Sequence, residues 1–141
     1  MSIKKDINHL PRWMKVPLPH GPDYSRVNNL IEEHKLNTIC GSGNCPNKGE
    51  CWSIGTATYM ILGEKCTRNS RFCFVKSLMP DPVDWDEPER LAKTIKILAL
   101  KHCVITSVAR DDLEDQGASF WAHTIRMIKQ VNPGITMEVL I

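Results

Sequence analysis

The sequence predicts an α/β protein in which parallel strands alternate with helices, behind an irregular N-terminal extension. Three observations predict it. Residues 58–141 carry strand-prone and helix-prone patterns in the order strand, helix, strand, helix, strand. The run Cys103-Val104-Ile105-Thr106-Ser107-Val108 is continuously apolar and β-branched, as suits a strand covered on both faces. Before all of this, Pro11, Pro17, Pro19 and Pro22 keep the backbone out of long helices. Such alternation joins parallel strands by right-handed helical crossovers, the unit of an α/β barrel or a doubly wound sheet.

Taken in order, residues 1–55 form the extension and residues 56–141 the alternating domain. In the extension Trp13, Met14 and Val16 are available as anchors, and a short helix is expected from Ser25, where Val27, Leu30 and Ile31 recur at helical spacing. Thr58-Tyr59-Met60-Ile61-Leu62 before Gly63 reads as the first strand. Asp86 with Glu89 three residues later is a capping-box signature, and Leu91, Ala92, Ile95, Leu98 and Ala99 make one apolar stripe of a helix. After the second strand, Phe120, Trp121, Thr124, Ile125, Ile128 and Val131 recur at helical spacing until Pro133 and Gly134 stop them. Residues 136–141 make a third strand. No helix follows to cover it, so a truncated domain is expected.

Of 141 residues, 42% are apolar and 24% charged, an ordinary folded balance that excludes disorder by composition. The formal charge is +2, with Lys and Arg scattered among Asp and Glu, so a nucleic-acid partner is not implied. No stretch approaches the roughly 20 apolar residues of a membrane span, and no signal-peptide core opens the chain. A cytoplasmic protein with no membrane partner is expected. Six cysteines in a reducing compartment favour free thiols or metal ligands over disulfides.

Cys40, Cys45 and Cys51 follow the spacing C-x4-C-x5-C on a stretch whose Gly41, Gly43, Pro46 and Gly49 suit a tightly turning loop. Thiolates are soft ligands that select zinc or iron–sulfur clusters, and three of them leave one position to be filled from elsewhere. On spacing alone an iron–sulfur cluster, a zinc ion and three unligated thiols all stay open. A second group, Cys66-Thr67-Arg68-Asn69-Ser70-Arg71-Phe72-Cys73, directly follows the first strand, where catalytic loops of α/β barrels sit. Its frame resembles the radical S-adenosylmethionine (SAM) signature C-x3-C-x2-C, with Ser70 at the middle position. A serine hydroxyl is a harder and far more basic ligand than a thiolate, so a site with two thiols assembles poorly.

The whole chain resembles lipoyl synthase. Arg12-Trp13-Met14-Lys15-Val16-Pro17-Leu18-Pro19 resembles that family's N-terminal segment. Cys40, Cys45, Pro46, Asn47, Gly49, Glu50, Cys51 and Trp52 match its auxiliary-cluster motif. Thr56-Ala57-Thr58, Ile61-Leu62-Gly63, Cys66-Thr67-Arg68, Leu100-Lys101-His102, Val104-Ile105-Thr106-Ser107-Val108, Arg110-Asp111-Asp112-Leu113 and Glu138-Val139-Leu140 fall in the family's order. Gly41-Ser42 departs from it, standing where acidic residues are common.

That resemblance implies a partial radical SAM (β/α) barrel of about three parallel strands, SAM and two 4Fe–4S clusters. Cys40, Cys45 and Cys51 would hold the auxiliary cluster, whose fourth ligand in the family is a serine near the C-terminus. Cys66, Ser70 and Cys73 would stand at the SAM-binding cluster, and Ser107, Arg110, Asp111 and Asp112 at the SAM and substrate pocket. The implied reaction is radical insertion of two sulfur atoms at C6 and C8 of an octanoyl group. Its carriers would be lipoyl domains of 2-oxoacid dehydrogenases or the glycine cleavage H protein, with ferredoxin or flavodoxin as electron donor. One electron from the SAM-binding cluster splits SAM to a 5′-deoxyadenosyl radical, and the auxiliary cluster gives up its sulfur. Ser70 and the missing remainder of the barrel are expected to impair this, which keeps open a non-catalytic remnant binding one cluster or zinc through Cys40, Cys45 and Cys51. Cys103 is expected as a small buried apolar residue. Trp52 and Phe72 are expected to shield clusters, Phe120 and Trp121 to fill core, and His102 and His123 to sit at a helix end and a helix surface.

Overall fold

The computed structural model describes Pro11, residues 21–43 and residues 45–141. The expected anchors Trp13, Met14 and Val16, with the family-like residues 12–19, lie outside the described residues. Helix α1 spans Pro22–Glu33, the two-residue strand β1 Asn37–Thr38, and the short helices α2 and α3 Ile39–Ser42 and Lys48–Ser53. Strand β2 is Thr58–Ile61; the two-residue strands β3 and β4 are Lys65–Cys66 and Lys76–Ser77. Helix α4 (Glu87–Ile97), strand β5 (His102–Ser107), helix α5 (Ala118–Val131) and strand β6 (Thr136–Leu140) complete the order.

The main sheet runs β1-β2-β5-β6. β2 pairs parallel with β5 and β5 with β6, as the alternating pattern predicts, while β1 adds an antiparallel edge with Thr38 opposite Tyr59. The crossovers are α4 and α5, which pack on each other. Leu91, Ala92 and Ile95 of α4 and Phe120, Trp121 and Ile128 of α5 are all buried, each fully buried large side chain contributing roughly 1.5–3 kcal/mol. Asn132 Nδ2 donates to the Ala92 carbonyl at 3.0 Å and so ties the end of α5 to the middle of α4.

Several local expectations are corrected. Pro22 does not hold the backbone out of a helix: it stands in the first turn of α1, where a missing N–H costs nothing. α1 therefore begins before Ser25. The capping box does not form, because Asp86 makes no side-chain cap bond and Glu89 pairs with Lys93 at 2.6 Å. α4 stops at Ile97, leaving Ala99 exposed in a left-handed turn at φ 51° and outside the apolar stripe. β5 buries Cys103 and Ile105 on one face, but Val104 and Thr106 on its other face are only half-covered. The turning loop of the first cysteine group is instead built on α2 and α3, with Thr38 Oγ1 accepting from the Gly41 N–H at 3.1 Å to cap α2. β6 lies at the sheet edge with Val139 and Leu140 exposed.

α1, α3 and the main sheet share one hydrophobic core, to which Val27, Ile31 and Trp52 belong. Arg26 donates to the Ile97 carbonyl at 2.6 Å, Arg90 Nε to the His34 carbonyl at 2.9 Å, and the His34 ring bonds Thr94. These contacts seat the segment that carries the first cysteine group against the α/β layer.

Candidate functional site

β2 leads into the second cysteine loop through Leu62, which takes a left-handed backbone at φ 68°, and Gly63. A bulky residue in that region costs energy, so something must hold it there. The buried Glu87 carboxylate accepts the Leu62 N–H at 3.0 Å, and the buried Arg110 guanidinium donates to the Leu62 carbonyl at 3.3 Å. Packing closes the same turn: a side chain added at Gly117, which has φ 92°, would come within 2.7 Å of Leu62 Cδ1.

The loop then leaves β3 at Cys66 and returns at β4, the two strands pairing in parallel. Cys66 Sγ accepts the backbone N–H groups of Arg68 and Ala109, each at 3.4 Å, so the sulfur is fixed against the end of β5. Arg68 grips Asp111 with two bonds, at 2.9 and 2.6 Å, and Thr67 Oγ1 meets the same carboxylate at 2.6 Å. Hydrogen bonds from Arg68 and Thr67 hold the Asp111 carboxyl down at about 2. Ser70 and Cys73 are exposed, joined by a turn in which the Cys73 N–H donates to the Ser70 carbonyl at 3.1 Å. Phe72, beside Cys73, is 91% exposed.

Against the ends of the strands lies a cavity of about 520 Å³, lined among others by Arg68, Ser107, Ala109, Asp111, Gln116 and Trp121. Its size falls in the range of small-molecule sites. Of the residues predicted for this pocket, Ser107, Arg110 and Asp111 line it and Asp112 does not, and the Ser107 hydroxyl accepts from Trp121 Nε1 at 3.2 Å. Arg110 is 3% exposed and spends its donors on Leu62, the Asp81 carbonyl (3.1 Å) and Asp112 (2.9 Å). Asp111 and Asp112 are therefore held by the two arginines. Glu87 was missed from sequence because its carboxylate reads as part of a helix start. Its signal is indirect: a buried carboxylate needs a donor, which here is the Leu62 N–H.

In the first cysteine group Cys40 is buried and Cys45 and Cys51 are half-buried. Burial pushes the Cys51 thiol up, and the charges of Cys40 and Cys45, then Glu50, push it further. Three soft sulfur donors on one short stretch are a donor set that fits a thiolate-bound metal centre. Among the described residues no three His, Cys, Asp or Glu side chains close to the spacing of a single bound ion. The wider cubane of an iron–sulfur cluster holds its thiolates farther apart than one ion does. The second group does not pass the same test: Cys66 is fixed, Cys73 is exposed, and Ser70 supplies a hydroxyl where a third thiolate is needed. Cys103 is 1% exposed with burial raising its thiol to about 11, the buried apolar role expected of it. His102 opens β5, not a helix end, and bonds Thr136 at 2.9 Å; His123 lies on α5 beside Trp85.

Fold and site together define a parallel α/β protein with one thiol-rich centre on its extension and a second cysteine loop at the strand ends. No family model matches the chain. A lipoyl synthase of Flavobacterium psychrophilum is 56% identical over 131 residues, and the mitochondrial lipoyl synthase of Nematostella vectensis is 55% identical over the same length. Both alignments cover 93% of this chain and 45% of the relative. A lipoyl synthase of Phocaeicola vulgatus is 50% identical over 137 residues, 96% of this chain and 48% of its own length. Over the span it covers, the chain is a lipoyl synthase-like protein. It spans about half the length of the curated relatives it matches.

Proposed function

We propose that the chain is the cluster-bearing part of a lipoyl synthase-type sulfur-insertion enzyme. Residues 1–55 are its auxiliary-cluster extension and residues 56–141 the opening units of a radical SAM barrel. One observation carries this reading: Cys40, Cys45 and Cys51, spaced C-x4-C-x5-C and buried or half-buried, stand on a chain about half of whose residues are identical to those of lipoyl synthases. Cys40, Cys45 and Cys51 hold a 4Fe–4S cluster. A cluster held there would supply the sulfur for insertion into an octanoyl chain on a lipoyl domain of a 2-oxoacid dehydrogenase or the glycine cleavage H protein. The protein's share is position and exclusion of water. Burial of Cys40 and Trp52 keeps that site dry on the core side. Arg68, Thr67 and Asp111 staple the second cysteine loop beside the strand-end cavity, and Ser107 with Trp121 forms the wall against which SAM would lie in a chain whose second loop had its third thiolate. An electron donor of the ferredoxin or flavodoxin kind belongs to the same reading, as does a cytoplasmic setting; among the described residues no helix is long and apolar enough to cross a membrane.

The second reading, a non-catalytic remnant with one metal centre, is favoured by Ser70, which leaves the Cys66 loop one thiolate short. Anaerobic reconstitution with iron and sulfide counting separates the two, run beside a SAM-cleavage assay. One cluster lost on Cys40→Ala, Cys45→Ala and Cys51→Ala together supports the cluster assignment. One zinc and no sulfide supports the remnant. SAM cleavage by the Ser70→Cys chain, and not by the parent, assigns the second loop to the SAM site.

A further inference from the structure

Among the described residues, two buried side-chain polar atoms lack a hydrogen-bond partner, Trp52 Nε1 and Tyr59 Oη. Indole N–H only donates, and a phenol that stays protonated has its proton to give. Leaving such a group unsatisfied costs about 1–3 kcal/mol, so each points to an acceptor that completes it. Both belong to elements that build the first cysteine group. Trp52 follows Cys51 in α3, and Tyr59 stands directly across the β1–β2 ladder from Thr38, the cap of the helix turn that carries Cys40.

Tyr59 is the better placed of the two. It is 1% exposed, and Cys40 is 5% exposed. α2, which carries Cys40, packs against β2, which carries Tyr59, and a buried phenol keeps its proton and so remains a donor. Cys103 competes for that proton poorly, because its own buried thiol stays neutral and a neutral thiol accepts weakly. A metal-bound thiolate or a cluster sulfide accepts far better.

We propose that the Tyr59 hydroxyl donates a hydrogen bond to the sulfur of the metal centre at Cys40, Cys45 and Cys51, at the Cys40 thiolate or a sulfide beside it. This rests on the cluster reading above. Tyr59 is a positioning residue: it holds the charge density on that sulfur and so sets how readily the cluster takes an electron and gives up its sulfide. Hydrogen bonds to cluster sulfurs are among the factors that fix reduction potential.

The test uses the full chain carrying Cys66→Ala and Cys73→Ala, so that only the first site loads. Reconstituted parent and Tyr59→Phe are compared by redox titration, by hyperfine spectroscopy of the reduced cluster in deuterium oxide, and by far-ultraviolet circular dichroism. The expected result is equal iron content, a downward shift of the midpoint potential in Tyr59→Phe, and loss of one exchangeable deuteron coupling. Equal potentials and equal couplings in a folded, loaded variant overturn the proposal. Should Tyr59→Phe take up no iron, a Tyr24→Phe chain grown on 3-fluorotyrosine carries the same question, since only Tyr59 is then labelled. A more acidic phenol donates more strongly and raises the potential, and an unmoved potential overturns the proposal. A parent chain that binds no iron at all defeats the cluster reading itself, an outcome distinct from either.

Discussion

Glu87 and Arg110, two buried side chains of opposite charge, hold the two backbone groups of one residue, Leu62: the carboxylate takes its N–H and the guanidinium its carbonyl. Each charge thereby finds a partner without meeting the other, and the chain leaves β2 in a left-handed turn that sends it toward Cys66. The cysteine loop owes its starting direction to this grip.

Glu87 makes stability fall as pH rises. Burial, with a smaller push from Asp84, lifts its carboxyl from 4.5 to about 7, while the Leu62 N–H and Arg90 pull the other way. Because the folded value lies above the unfolded one, the folded state keeps a proton the unfolded chain has lost. The stabilising contribution is full below about 4.5 and is lost as pH rises through about 7, on the order of 3 kcal/mol across the window. Thermal unfolding of Glu87→Gln should show a flatter pH dependence than the parent between about pH 5 and pH 8, since the amide still accepts from Leu62. Parallel curves would remove Glu87 as the source.

Arg110→Met should destabilise the fold severely. The guanidinium is 3% exposed and donates to Leu62, Asp81 and Asp112, so its loss leaves acceptors on two loops without their donor. Breaking a buried charged contact from one side costs roughly 3–5 kcal/mol, and Asp112, which is 26% exposed, recovers some of that from water. Denaturant titration should give a loss of about 3 kcal/mol. A loss under about 1 kcal/mol would mean that Leu62 is held by packing alone.

Asp111→Asn should free Cys66 without unfolding anything. The Arg68–Asp111 pair is solvent-exposed, with side-chain exposures of 63% and 39%, and pairs of that kind add little to global stability. Yet they pin the two residues that follow Cys66, whose sulfur depends on the Arg68 N–H. The expected outcome is an unchanged unfolding midpoint and faster alkylation of Cys66, read by mass spectrometry at the modified peptide. Since the Asp111 carboxyl is held at about 2, the pair with Arg68 stays formed in mild acid. Equal alkylation rates would show that the loop keeps its shape without the pair.

The parallel layer was legible because its cues are periodic. The apolar recurrences of α4 and α5 and the β-branched run of β5 depend on burial, and burial leaves a rhythm in the chain. What the sequence hid depends on single directions. Nothing in Asp86 and Glu89 tells that Glu89 turns to Lys93, or that Glu87 between them turns inward to Leu62. The two cysteine groups showed by spacing and family likeness, but the helices α2 and α3 that carry the first were hidden by their glycines and by Pro46. Two-residue strands such as β1, β3 and β4 are too short for any pattern, and Thr38 and Cys66 owe their places to partners far along the chain.

Restoring a thiol at position 70 should add one cluster's worth of iron and sulfide to the chain. Ser70 sits on an exposed turn whose carbonyl accepts the Cys73 N–H, on the loop whose other end is fixed by Cys66, so Ser70→Cys asks little of the surrounding structure. Thiolates hold iron where hydroxyls at neutral pH do not, because the alkoxide form is too rarely present. Three sulfurs on one loop can carry a cubane with one iron left open, whereas two cannot anchor it against loss. Iron and sulfide per chain should therefore rise in Ser70→Cys and return to the parent level in Ser70→Ala. If Ser70→Cys binds no more iron than the parent, the loop between β3 and β4 is not shaped to wrap a cluster, and Ser70 is not what keeps it empty.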